Sequence, residues 1–429
     1  MVEFLKGAWA LLLGMFLLMV GNGLQGSLIG IRGDIEDFST VALSVITSAY
    51  FVGFLIGSRI APEMIRRVGH VRVFAALGSL ISAVLILYPT VTDPSAWVLF
   101  RVIFGFSFCG VYVTAESWLN NAADNETRGK ALSIYMIVQM SGVILSQALL
   151  NVADPAGFIL FVIPSVLVSL AFAPILLTAT KSPSFETTKA MSLRELYTYS
   201  PTGIVGMFVL GGVFSAQFGM ASIYGTQAGL SVAEIAGFVS SIFLGGLLLQ
   251  YPIGWLSDRM DRRVLILGTS AVAACAGIFG WIAGGTYTPI LIAGFLMGGM
   301  SNPLYSLLIA YTNDYLSTDD MAAASGGLLF ANGVGAVLGP IIVGYLMQLL
   351  GPGGFWLFLA FILAGFAGYI SWRMTQRPSA YDEEADYDAV PYAPVMATST
   401  AVAVEAAQEY YAENVDMDAT NAAEDDTTS

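Results

Sequence analysis

Long apolar runs separated by short polar segments fill the chain from residue 7 to residue 373. Each run is close to the roughly 20 residues that an α-helix needs to cross the hydrocarbon core of a bilayer. Continuous runs favour helices over the short alternating strands of a membrane barrel. The pattern predicts membrane-spanning helices at 7–31, 41–61, 71–92, 96–120, 129–151, 156–179, 202–226, 232–256, 264–284, 287–312, 322–349 and 353–373.

The composition agrees with a membrane protein. Hydrophobic residues make up 56% of the 429 residues and charged residues only 11%, whereas a soluble domain carries about 25% charged residues. The two cysteines, Cys109 and Cys275, lie inside apolar runs, and the single histidine, His70, lies in a predicted loop. No pattern for a metal, a nucleotide or a catalytic group is present, so we expect neither an enzyme nor a cofactor.

The basic residues fix a predicted orientation. Of the 17 lysines and arginines, all but Arg32 and Arg101 fall at the ends or in the loops that share one side with the N-terminus. Because cytoplasmic loops carry the excess of Lys and Arg, both termini are predicted to be cytoplasmic, in a bacterial inner (plasma) membrane. The net charge of −14 is concentrated beyond Arg377, in a tail without bases, so nucleic acid is not an expected partner.

The second half of the chain repeats the first. A shift of 192 residues places Arg67 on Arg259, and a shift of 193 places Tyr112 on Tyr305. Six spans per copy indicate a duplicated unit. We therefore predict an N-terminal six-helix bundle at 1–180, a cytoplasmic linker at 181–200, a C-terminal six-helix bundle at 201–377 and a disordered acidic tail at 378–429.

Two charged loops occupy equivalent positions in this repeat, "PEMIRRVGHVR" at 62–72 and "GWLSDRMDRR" at 254–263. The second loop resembles the motif Gly-x-x-x-Asp-Arg/Lys-x-Gly-Arg-Arg/Lys of the major facilitator superfamily, with Asp261 in place of the second glycine. In the first loop Arg66 stands where the family has aspartate. The resemblance covers about residues 5–375, and "ESWLN" and "NPLYSL" are similar to the YcaD-like branch of that family.

This resemblance implies an all-α membrane protein with twelve transmembrane helices in two bundles related by a pseudo-two-fold axis. It implies a monomeric transporter of a small molecule that works by alternating access, with the two loops as latches between the bundles. Topology alone is the other explanation of the loop charges. The latch residues implied are Arg66, Arg67, Gly254, Asp258, Arg259, Arg262 and Arg263.

Polar residues inside spans 1, 4, 7 and 10 are the candidates for a substrate cavity, because these spans line the cavity in the family. Arg101 fits the family's Arg-x-x-x-Gly signature in span 4. It binds an anionic substrate group or contacts Asn22 and Gln25 of span 1. Packing between helices is the alternative role for each member of the set. The candidates are Asn22, Gln25, Arg101, Tyr112, Gln217, Tyr224, Asn302 and Tyr305.

Glu116, at the cytoplasmic end of span 4, leaves the mechanism of coupling open. It pairs with a base such as Arg128, Arg66 or Arg67, or it carries protons that drive transport. The sequence also leaves open drug-type efflux and a sensor of transporter fold that moves nothing.

Overall fold

The computed structural model describes residues 2–122, 125–177, 191–257, 259–316 and 318–376, together with Thr400 and Val402. Most of these residues lie in helices that follow one another with short turns. The helices are α1 (Val2–Ile35), α2 (Thr40–Val68), α3 (His70–Leu87), α4 (Pro94–Ala122), α5 (Asn125–Leu149), α6 (Ile159–Leu177), α7 (Leu193–Tyr199), α8 (Pro201–Ser215), α9 (Ala221–Gln227), α10 (Val232–Ser257), α11 (Arg262–Ala283), α12 (Tyr287–Asn313), α13 (Thr318–Leu350) and α14 (Gly354–Met374).

In the described part of the chain, eleven helical segments are long and apolar enough to cross a membrane. A shorter apolar segment, Ile159–Pro174 in α6, accounts for the remaining predicted span. The seventh span is composite, because α8 and α9 are joined by a π-helical turn at Ala216–Met220. The predicted twelve-helix fold is confirmed. With an even number of spans, the start of α1 and the end of α14 lie on one side of the membrane, called here the termini side.

Large apolar side chains cover the outside of the molecule, as lipid requires. Leu248, Leu170 and Phe361 expose 54%, 55% and 73% of their surface. Surface of this kind would be costly in water at about 25 cal/mol per Å² of apolar area, so it is a lipid-facing surface. Aromatic and aliphatic side chains fill the interior of both halves, including the fully buried Trp97 and Trp356.

Glycines allow helices to approach closely at equivalent places in the two halves. In the N-terminal half, a Cβ at Gly53 of α2 would overlap the backbone of α4, and one at Gly105 of α4 would overlap the Tyr50 carbonyl of α2. In the C-terminal half, Gly245 of α10 and Gly298 of α12 meet in the same way. The pairs are offset by 192 and 193 residues, the shifts of the sequence repeat. The repeat is therefore present in the packing as well.

A second helix pair repeats with its residues exchanged. Gly23 of α1 lies against Ser146 of α5, whereas the equivalent positions hold Ser215 of α8 against Gly339 of α13. Each serine hydroxyl donates to a carbonyl of its own helix three residues earlier, at 2.5 Å for Ser146 and 3.1 Å for Ser215. Both pairs thus combine one glycine with one serine, although on opposite helices.

Candidate functional site

Arg101 lies at the centre of a polar cluster between α1, α2 and α4. Only 5% of the residue is exposed. Its Nη1 donates a hydrogen bond to Oε1 of Gln25 on α1. The guanidinium also lies over the Tyr50 ring of α2, 5.1 Å from the ring centroid, and 5.9 Å from that of Phe104. The predicted contact between Arg101 and Gln25 is present, and two aromatic rings complete the surroundings of the charge.

The cluster contains more hydrogen-bond donors than acceptors. Four buried atoms in it lack a well-aligned hydrogen-bond partner: Nε of Arg101, Nε2 of Gln25, and the hydroxyl oxygens of Tyr50 and Tyr88. The Tyr50 hydroxyl faces Asn22, and the Tyr88 hydroxyl faces Gln25 and Arg101. Each of these groups carries a hydrogen that it can donate. Among the described residues, no carboxylate forms an ion pair with Arg101. The cluster is therefore a buried positive charge surrounded by unused donors, which suits a negatively charged group.

Asn22 and Tyr112 extend this cluster along α1 and α4. Nδ2 of Asn22 donates to the Tyr112 hydroxyl at 3.3 Å, and that hydroxyl is 3.3 Å from the Met19 sulfur. Asn22 and Gln25 lie three residues apart on α1, so their side chains share one face of the helix. The four N-terminal candidates thus form two contacts between the same two helices.

The C-terminal candidates are more dispersed. Nε2 of Gln217, in the π-helical turn, donates to the Ser301 hydroxyl of α12 at 2.9 Å. Nδ2 of Asn302 donates to the Gly298 carbonyl of its own helix at 2.9 Å. Tyr305 packs near Phe214 of α8, with ring centroids 6.4 Å apart. The hydrogen bonds of Gln217 and Asn302 thus stay within the C-terminal half.

Gln217 and Tyr224 lie seven residues apart, a spacing that would place them on one face of an ideal α-helix. In the structure their surroundings differ. Tyr224 packs in an aromatic group, with ring centroids 5.1 Å from Phe355 and 5.6 Å from Trp356 of α14. The reason is the π-helical turn, whose wider winding breaks the 3.6-residue period between the two positions. Gln217 contacts α12, whereas Tyr224 contacts α14.

Glu116 is buried near the termini side, with 3% of its surface exposed. Its carboxylate accepts hydrogen bonds from the Tyr135 hydroxyl at 3.3 Å and from the hydroxyl of Thr400, in the predicted tail. Arg66 and Arg67, two of its predicted partners, pair instead with Glu63 of their own helix. The side chain of Arg128 lies outside the described residues.

Next to Glu116 is a buried histidine that sequence reasoning placed in a loop. His70 begins α3, and its Nε2 is 3.1 Å from the Ser117 hydroxyl. The imidazole stacks on Trp118, with ring centroids 6.0 Å apart. The repeat gives the signal that could have found it, because a shift of 192 places His70 on Arg262, a predicted latch residue.

The described charges of the second loop make contacts within the C-terminal half. Arg262 forms an ion pair with Asp314 at the end of α12, and Arg263 pairs with Asp261 at 2.7 Å. The guanidinium of Arg259 stacks on the Trp255 ring, with its carbon 4.2 Å from the ring centroid. Trp255 follows Gly254 in the last turn of α10. Asp258 lies outside the described residues.

One basic residue that the latch prediction omitted contacts the other half. Arg59 of α2 lies over the Phe330 ring of α13, with its guanidinium carbon 5.3 Å from the centroid. The same two helices meet further along, where the Ser48 hydroxyl donates to the Val337 carbonyl at 2.6 Å. Sequence reasoning used Arg59 only to fix orientation, since nothing in the pattern pairs it with a ring 271 residues away.

Comparison with known proteins gives one consistent family. The family model described as Major Facilitator Superfamily matches residues 11–243 and 204–397. A relative from Escherichia fergusonii, described as uncharacterized MFS-type transporter YcaD, is 26% identical over 342 residues, covering 79% of this chain and 88% of the relative. The structure is similar to that of the nucleoside transporter NupG, with a TM-score of 0.71, 15% identity and coverage of 86% and 99%. It is also similar to the E. coli fucose:proton symporter FucP, with a TM-score of 0.56, 15% identity and coverage of 86% and 99%.

Proposed function

The chain belongs to the Major Facilitator Superfamily, and it is a multi-pass membrane transporter of a small molecule; from this premise, we propose that its substrate is a small organic solute that carries an anionic group. Arg101 binds that group. Gln25 of α1, Tyr50 of α2 and Tyr88, directly after α3, donate further hydrogen bonds to it. Asn22 and Tyr112 contact the uncharged part of the solute.

The observation that carries this proposal is the buried charge without a carboxylate partner. An unpaired ion inside a membrane protein costs several kcal/mol, and such residues usually face a transport pathway. A bound carboxylate or phosphate would accept hydrogen bonds from Arg101, Tyr50 and Tyr88 together, and it would offset that cost. Transport of an apolar cation gains nothing from such a cluster, because the charges repel.

We further propose how the solute moves. The halves 1–180 and 201–377 rock against each other about the central pathway, with the linker 181–200 between them and the tail 378–429 in the cytoplasm. The termini side is cytoplasmic, in a bacterial inner membrane, and the protein acts as a monomer. The bias of the bases toward the termini side supports this orientation.

The two charged loops are proposed to act as latches on the termini side. The pairs Arg262–Asp314 and Arg263–Asp261 fix the shape of the second loop, and Arg67 with Glu63 orders the end of α2. The cation–π contact of Arg59 with Phe330 supports closure between the halves on this side. Movement is proposed to be facilitated or coupled to protons through Glu116.

The test is a ligand screen with the purified protein and its Arg101 variants. Organic anions should raise the melting temperature of the wild-type protein, whereas neutral solutes and organic cations should leave it unchanged. Arg101→Gln should weaken binding of the active anion by about tenfold or more, since a hydrogen bond to a charged group contributes about 1.5–3 kcal/mol. Arg101→Lys should retain part of the affinity.

Arg32→Gln is the matched control, because Arg32 is also buried but pairs with Glu36 at 2.6 Å. It should bind the anion as the wild type does. Unchanged anion binding in a folded Arg101→Gln protein would refute the proposed role of Arg101. A response to cations alone would instead support drug-type efflux.

A further inference from the structure

A second polar cleft lies on the termini side of the C-terminal half, where the ends of four helices meet. The cleft is open to the surface and its enclosed part has room for only about one water molecule, so a ligand group would lie at its mouth. Two lining residues lie in first turns of helices, Thr202 in α8 and Arg263 in α11. Two more lie in last turns, Tyr311 in α12 and Arg373 in α14. The other lining residues are Ile266, Ile370 and Met374.

The polar groups of this cleft include unused donors. The Thr202 hydroxyl has no hydrogen-bond partner although only 2% of the residue is exposed, and Nε of Arg373 is also buried without a partner. The charge of Arg263 is balanced by Asp261. The guanidinium of Arg373 therefore gives the cleft a net positive charge. The N-termini of α8 and α11 add the positive ends of their helix dipoles. An anion with several oxygen acceptors satisfies this arrangement.

The repeat shows that the fold does not require these groups. A shift of 192 residues places Thr202 on Ala10 and Arg263 on Val71, and a shift of 193 places Tyr311 on Trp118. The equivalent positions of the N-terminal half therefore lack a hydroxyl or a charge at all three places. Arg373 is different, because the shift of 192 places it on another base, Lys181. The two hydroxyls and the charge of Arg263 are therefore particular to the C-terminal half, which points to a ligand.

The surroundings of the cleft indicate where the anion comes from. Trp372, beside Arg373 in the last turn of α14, exposes 55% of its surface, and Tyr197 and Tyr199 of α7 expose 52% and 43%. Exposed Trp and Tyr side chains at the ends of spans lie at the level of the lipid headgroups. Basic pockets between helix ends at this depth suit phosphate-bearing headgroups. We infer that the cleft binds the phosphate group of an anionic phospholipid from the leaflet on the termini side.

The experiment measures the melting temperature of the purified full chain in detergent, with added lipid as the probe. Phosphatidylglycerol should raise the melting temperature, while phosphatidylcholine with the same acyl chains should raise it much less. Inorganic phosphate at matched concentration distinguishes the two sources of the anion. If phosphate alone gives the full shift and the lipid adds nothing, the lipid assignment is wrong.

Variants locate the binding. Arg373→Gln should require about tenfold more phosphatidylglycerol for the same shift, as expected for one lost charge-assisted hydrogen bond. Arg72→Gln is the matched control, because Arg72 is an exposed base on the same side of the membrane, in the other half of the chain. Equal responses of these two variants would overturn the proposal.

A second pair of variants decides if Arg373→Gln does not fold. Thr202→Val should weaken the lipid response, and Thr202→Ser, which keeps the hydroxyl, should restore it. Identical lipid responses of these two proteins would also overturn the proposal.

Discussion

Three arginines of the described chain are buried, and they differ in how their charge is balanced. Arg32 pairs with Glu36 and Arg262 with Asp314. Arg101 has instead an amide oxygen and the faces of two aromatic rings. An amide and a π-face stabilise a cation less than a carboxylate does, so its surroundings are balanced only when an anion is added.

Glu116 gives a prediction at the same scale. Once a solute has been identified, Glu116→Gln should abolish its accumulation under a proton gradient while exchange of labelled for unlabelled solute continues. The reason is that a neutral amide cannot carry a proton, although it can keep the hydrogen bond from Tyr135. Uptake and exchange in proteoliposomes are the measurements.

The control for this prediction is Glu63→Gln. Glu63 is a partly exposed acid on the same side of the membrane, and its carboxylate pairs with Arg66 and Arg67. Its replacement should leave accumulation intact. Accumulation that survives in Glu116→Gln would leave facilitated movement, or coupling through another group, as the mechanism.

Single residues of the site were only partly predictable from the sequence. The contact of Gln25 with Arg101 follows from helix periodicity and from the cost of a charge in a span. The ring of Phe104 also follows from periodicity, since it lies three residues after Arg101 on α4. The ring of Tyr50 does not follow, because the rotation of α2 against α4 depends on the glycine contacts. Thr400 beside Glu116 was also unforeseen, since 284 residues separate the two.

Helices of this protein were predicted well where they cross the membrane and poorly where they deviate from an ideal α-helix. Apolar length alone indicates the spans. The short helix α7 was assigned to the linker, although Ser192 and Glu195 form a capping box that the sequence displays as Ser-x-x-Glu. The π-helical turn at 216–220 has no comparable sequence signal, and it gives Tyr224 surroundings that the period of an ideal α-helix would not predict.

Close approach between helices gives a prediction at this scale. Gly105→Ala should lower the melting temperature, because the added Cβ would overlap the Tyr50 carbonyl, a backbone atom that cannot turn away. Overpacking of this kind costs about 1–3 kcal/mol. Differential scanning fluorimetry of the purified variants is the measurement.

Gly365→Ala provides the comparison, because a Cβ on that glycine of α14 would meet nothing within 4 Å. In a helix interior, Ala is more favourable than Gly by about 0.5–1 kcal/mol, so this variant should be as stable as the wild type or slightly more. A larger loss of stability at Gly365 than at Gly105 would contradict the helix packing described above.

At the scale of the whole molecule, contacts between the halves close the side opposite the termini. A Cβ at Gly30 of α1 would overlap Ser222 and Ile223 of α9, and one at Gly219 would overlap Thr47 of α2. Gly344 of α13 meets Ser44 of α2 in the same way. At three points on this side, the backbone of a glycine in one half thus contacts a side chain of the other half.

Gly30→Val should shift the population toward a state that is open on the side opposite the termini. The valine side chain wedges α1 away from α9, which raises the free energy of the closed state only. Spin labels on Asp93 and Thr286, exposed in loops of the two halves on this side, should move apart. The exposed Cys275 is first replaced by serine.

Gly268→Val is the matched control, since a Cβ at Gly268 of α11 would meet nothing within 4 Å. It should leave the distance distribution of the labels unchanged. If both variants gave the wild-type distribution, the contact at Gly30 would not determine which side is closed.

The exchanged pair, Gly23 with Ser146 and Ser215 with Gly339, also records the order of events in the history of the gene. If the two halves descend from one ancestral unit, at least two substitutions separate the two pairs. A stage with serine on both helices would place two side chains where only one fits, whereas a stage with two glycines leaves a small gap. The path through two glycines is therefore the favoured one, since each half then needs only a single gain of serine, on opposite helices.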